Sequence, residues 1–181
     1  MHVFTDREIR EAKSLSKYKI NAFHAGQKGV LFSMYREDSK LWTTELTSGK
    51  YMEVVVAWML GYFYFSTGVN VYVNMRWQKD VFDGIDFVLR YVGEECTVNL
   101  KFDRLAESDT ADTDTRYDRC VRVYPSVPIV SKKTQTGEEV AKSILCCVLQ
   151  ASVVSKLFSE HPDMTAAFNG IWEKQSRGWS Q

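Results

Sequence analysis

The stretch Asp83-Gly84-Ile85-Asp86-Phe87-Val88-Leu89-Arg90-Tyr91-Val92-Gly93-Glu94-Glu95-Cys96-Thr97-Val98-Asn99-Leu100-Lys101-Phe102 decides how the rest of the chain is read. Gly84 to Leu89 favours a strand but holds a carboxylate, Asp86; Cys96 to Phe102 is a second such run, holding Asn99 and Lys101. Successive strand residues point to opposite faces, so Asn99 and Lys101 share one face while Val98, Leu100 and Phe102 take the other. Val92-Gly93-Glu94-Glu95 reads as the hairpin loop between them. Charges set into apolar strands need partners. Two expectations are open: a cross-strand ion pair of Asp86 with Lys101 in an ordinary amphipathic hairpin, or a metal-dependent phosphodiesterase site.

Upstream of this pair, Tyr51 to Phe65 is apolar nearly all round except for Glu53, and is expected to be a buried helix. Gly68 to Met75 alternates apolar and polar residues as a strand does. Near the start, Thr5 with Glu8 three residues on signals a helix to about Lys17 with a mostly polar face. Ile20 to Thr44 loosens into short segments around Gly26 and Gly29, with Val30 to Tyr35 a candidate strand. Downstream, residues 106–118 form a polar stretch without the glycine and terminal glutamate of a calcium-binding loop. Cys120 to Tyr124 predicts a short strand closed by Pro125 and Pro128. One long helix is expected from Thr136-Gly137-Glu138-Glu139 to about Ser159, ended by His161-Pro162, and a last helix from Met164 to Gln175.

Length and composition bound the answer to one domain over residues 1–181. A net charge of zero argues against a protein that coats DNA by charge alone. The charge is uneven, however: residues 1–50 hold nine Lys/Arg against six Asp/Glu, and residues 51–130 hold eight against twelve. An acidic middle beside a basic start suits a metal site that also meets a phosphate backbone, although surface variation produces the same imbalance. Cys96, Cys120, Cys146 and Cys147 form no CxxC pair, and His2, His24 and His161 are scattered, so no zinc framework is present. The cysteines read as reduced residues of a cytoplasmic protein. The charged N-terminus lacks a signal-peptide core, and Val54 to Phe65 is too short to span a bilayer, so no membrane association is expected. The five tryptophans, Trp42, Trp58, Trp77, Trp172 and Trp179, are too dispersed for a base-stacking platform and are expected mostly in the core or at its rim.

Phosphodiester hydrolysis needs a divalent ion on hard oxygen ligands, an activated water and positive charge near the phosphate. Asp86 is the expected central ligand, with Asp83 competing for the place. The side-chain carbonyl of Asn99, or a backbone carbonyl beside it, would complete the shell, Lys101 would orient or deprotonate the water, and Glu53 would bind the ion directly or through water. Glu53 also has an ordinary explanation, as a carboxylate in the first turn of its helix.

Glu53 on a helix, Gly-Ile-Asp at 84–86 and Asn-Leu-Lys at 99–101 resemble the core of the PD-(D/E)XK nuclease superfamily. In that family a glutamate helix precedes a sheet whose second strand bears the metal-binding aspartate and whose third bears an acidic residue, a spacer and a lysine. The resemblance covers residues 48–104; it matches Glu53 to the helix glutamate, Asp86 to the aspartate, Lys101 to the lysine, and Asn99 to the position where the family has a carboxylate. It implies an α/β (α+β), restriction-endonuclease-like fold, a mixed sheet flanked by helices, with a core over about 48–160 and additions at 1–47 and 161–181. It also implies a hydrolase, an endonuclease or exonuclease using Mg2+ or Mn2+ on DNA, with Glu53, Asp86 and Asn99 as metal ligands. The alternative is a non-catalytic nucleic-acid- or protein-binding protein on such a fold. A homodimer through the apolar C-terminal helices, Val140 to Phe158 and Ala166 to Trp172, is a further expectation.

Overall fold

A computed structural model describes residues 3–41, 46–102, 116–128 and 133–177. Among them are seven helices and four strands in one mixed sheet, a mixed α+β architecture. Trp42, Trp179 and all but the last three residues of the polar stretch 106–118 lie outside the described residues.

Helix α1 (Asp6–Gln27) starts at a capping box in which the Thr5 hydroxyl accepts from the Glu8 amide and the Glu8 carboxylate from the Thr5 amide. It runs ten residues beyond the expected end at Lys17, because its buried stripe continues through Lys19, Ala22, Phe23 and Gly26. This stripe lies along α3 (Ser48–Thr67), the apolar helix at the centre of the molecule. Two glycines allow the close approach: a Cβ on Gly61 would strike the Phe23 carbonyl, and one on Gly26 the Trp58 carbonyl. Val30 to Tyr35 is not a strand. Its residues from Phe32 onward form α2 (Phe32–Asp38); a short apolar run fits either element, and here it buries Phe32 and Tyr35 as a helix.

Strands β1 (Tyr72–Asn74), β2 (Phe87–Tyr91) and β3 (Glu94–Phe102) form an antiparallel meander, and β4 (Arg119–Val123) pairs with β3 in parallel. The β2–β3 hairpin turns on Val92 and Gly93, both with positive φ, as a two-residue turn compatible with strand twist requires. Between β1 and β2 sits α4 (Trp77–Asp83), which the alternating pattern of Gly68 to Met75 did not foreshadow.

The expected long C-terminal helix is two helices, α5 (Gly137–Leu145) and α6 (Ala151–Glu160), followed by α7 (Pro162–Arg177). Continued through residue 150, the helix would have carried its apolar stripe from Leu145 and Val148 onto Ser152, Ser155 and Ser159. The corner re-phases the chain so that Val154 and Phe158 are buried and those serines are exposed. The apolar residues of α5 to α7, including Ile144, Phe158, Phe168 and Trp172, join Leu15, Trp58, Phe87 and Val98 in one core cluster. Among the described residues no helix is long and apolar enough to cross a membrane.

Candidate metal centre

Three carboxylates converge where α3, α4 and the start of β2 meet. Glu53, Asp80 and Asp86 each offer an oxygen, and these oxygens lie within 4.8 Å of one another. Glu53 comes from the N-terminal half of α3 and Asp80 from the middle of α4. Helix α4 is fixed at both ends. The Ser16 hydroxyl of α1 donates to the Met75 carbonyl just before it (2.6 Å), and the Gly84 and Ile85 amides close onto the carbonyls of Asp80 and Lys79 (3.1 and 3.0 Å). Gly84 has φ 66°, a conformation that suits glycine.

Asp86 stands one residue before β2, and simple alternation would place its side chain on the face away from Phe87. The backbone departs from alternation there: the Asp86 amide donates to the carbonyl of Val98 (2.9 Å), the residue already registered with Phe87. Two consecutive residues thus address one partner, the arrangement of a β-bulge, which re-aims a side chain. The Asp86 carboxylate accepts from the Leu100 amide (2.7 Å) and is 5% exposed.

Lys19 is a cation in contact with this cluster. It reaches in from α1, 2% exposed, with Nζ 3.1 Å from Glu53 Oε1, donating to the Asp86 backbone carbonyl at 2.7 Å and lying 4.4 Å from the centre of the Phe87 ring. Burial alone would lower the Lys19 ammonium, but Glu53, Asp86 and Asp80 outweigh it and hold it above the usual lysine value. Burial drives the Asp86 carboxyl well above the ordinary carboxylate range. Glu53 and Asp80 push the same way, against the opposing pull of Lys19 and the Leu100 amide. With Asp86 ionised, the three carboxylates meet the one ammonium of Lys19 that contacts them among the described residues, and the net negative charge left would favour a further cation there.

The structure brings Glu53 and Asp86 together and places Asn99 and Lys101 differently. Asn99 Nδ2 donates to the Gly84 carbonyl at 2.7 Å, and its Oδ1 faces the Cys120 thiol at 3.9 Å. Its amide thus ties β3 to the turn between α4 and Asp86. Lys101 is exposed on β3, registered beside Arg122 of β4. Asp83, the competing carboxylate, is on the surface, 4.0 Å from Lys79.

No family model, curated protein or solved structure matches the chain. The site is therefore read from its chemistry. Three carboxylates are the hard oxygen set that Mg2+ and Mn2+ take, with water filling the remaining positions.

Two members of the cluster went unread in the sequence. Lys19 falls on the Ala12, Leu15, Ala22, Phe23 and Gly26 stripe, and that spacing was the available signal: a lysine in line with apolar residues. Asp80 gave no signal, since its short helix follows a strand without a cap or an amphipathic pattern.

Proposed function

We propose that this protein is a divalent-metal-dependent nuclease of the PD-(D/E)XK kind that hydrolyses phosphodiester bonds in DNA. The convergence of Glu53, Asp80 and Asp86 carries the reading. The element order supports it: a helix bearing Glu53, a second strand entered at Asp86, a third bearing Asn99 and Lys101, and a fourth parallel to the third.

In this reading Glu53, Asp80 and Asp86 hold the ion. Mg2+ or Mn2+ held there would supply a water of lowered pKa and polarisation of the scissile phosphate. Asp86 is fixed by the Leu100 amide, and Asp80 by the closure of α4. Lys19 neutralises part of the carboxylate charge, and Asn99 anchors the turn that delivers Asp86.

A second reading, a non-catalytic DNA- or protein-binding protein on the same fold, is favoured by one observation. Lys19 already supplies a cation to Glu53. Incubating the purified protein with plasmid, linear and single-stranded DNA, with and without Mg2+ or Mn2+, separates the two readings. The nuclease reading expects metal-dependent cleavage that Asp86→Asn and Asp80→Asn abolish. Cleavage that survives both substitutions, or DNA binding with neither cleavage nor metal affinity, overturns it.

A further inference from the structure

We propose that Lys19 sets the charge of the metal centre and thereby decides which ions it accepts; this rests on the metal-centre reading above. Lys19 is not a solvated lysine that happens to lie near acids. Its ammonium meets a carboxylate oxygen of Glu53, the Asp86 carbonyl and the face of Phe87, and is 2% exposed. Three parts of the fold fix these contacts: α1 brings the lysine, α3 the glutamate, and the α4–β2 corner the carbonyl and the ring. A cation held in this way is a permanent part of the site.

With Glu53, Asp80 and Asp86 ionised around an ion, three negative charges and the ammonium leave a net charge of minus two, which one divalent ion neutralises. A lysine whose charge is removed leaves three uncompensated carboxylates, a site suited to a trivalent ion and to tighter divalent binding. The repulsion between an ammonium on Glu53 and an ion on the same carboxylate acts over a few ångströms in a site shielded from solvent, where it is strong. Lys19 acts through the ligands and touches neither ion nor substrate, so it is a positioning residue.

This role has a sign that a purely structural lysine would not show. Lys19→Met should bind Mn2+ more tightly than the wild type by about tenfold or more, and should gain affinity for Tb3+. Lys19→Arg keeps the charge and should stay near the wild-type values. Lys19→Gln, smaller and able to hydrogen-bond, repeats the test should the Met variant not fold, with folding checked by circular dichroism. The measurement is calorimetric titration with Mn2+ and luminescence titration with Tb3+. Unchanged or weaker Mn2+ binding in the neutral variants, with the wild type binding, overturns the role of Lys19 and leaves the metal centre standing. Binding in the neutral variants but not in the wild type upholds the role and overturns the wild-type protein as a metal enzyme. No binding in any form overturns both.

Discussion

Lys19 Nζ of α1 lies 3.1 Å from Glu53 Oε1 of α3, and this pair joins the first helix of the chain to the centre of the molecule. Burying an ion pair stabilises little by itself, but removing one partner strands the other. Lys19→Ala should therefore destabilise the fold by roughly 3–5 kcal/mol. Glu53→Gln in the Lys19→Met background should be markedly less destabilising than the separate effects added together, since no charge of the pair is left alone. Denaturant unfolding of the two single variants and the double variant measures this coupling, and strict additivity would contradict it.

Asp86 should behave as a carboxylate that costs the protein stability. Its folded-state pKa lies well above the unfolded one, chiefly through burial and then through Glu53, so the fold favours the protonated acid. The stabilising contribution of that proton is complete below the unfolded value of about 3.9 and is lost as pH rises through the folded value. Asp86→Asn, which keeps an acceptor for the Leu100 amide, should unfold at a higher temperature than the wild type near neutral pH. A rise of several degrees is the scale of a gain of ~1–2 kcal/mol. The advantage should shrink as pH falls toward the ordinary carboxylate range; a variant that melts lower at neutral pH would contradict the burial argument.

Lys19 responds in the opposite pH range. Its raised pKa means that its contribution is complete below the ordinary lysine value and is lost only as pH rises through the folded value above it.

Asn99 should resist replacement by the carboxylate that the superfamily pattern has there. Its Nδ2 donates to the Gly84 carbonyl, which an aspartate cannot do, and an ionised oxygen would face a carbonyl oxygen instead. Asn99→Asp should cost about 1–3 kcal/mol in denaturant unfolding and should not tighten Mn2+ binding. Tighter binding would instead assign Asn99 to the ion directly.

The sequence made the hairpin, the buried helix with Glu53, the strand at Cys120 to Tyr124 and the final helix legible, because alternation, all-round hydrophobicity and proline stops are local signals. The site was legible only in part. Alternation placed Asn99 and Lys101 on one face of β3, but it could not foresee the bulge at Asp86, which depends on the pairing partner Val98. Lys19 was hidden because charge outweighed spacing in reading α1, and the corner between α5 and α6 carries neither glycine nor proline. What decided those places was packing between segments distant in the chain.

The central claim, that Glu53, Asp80 and Asp86 form a divalent-metal centre, meets its most direct test in calorimetric titration of the wild-type protein with Mn2+ near neutral pH, beside Asp80→Asn and Asp86→Asn. The wild type should bind a single ion saturably, and both variants should lose that binding. Absence of binding by the folded wild-type protein, or binding that neither substitution weakens, would contradict it.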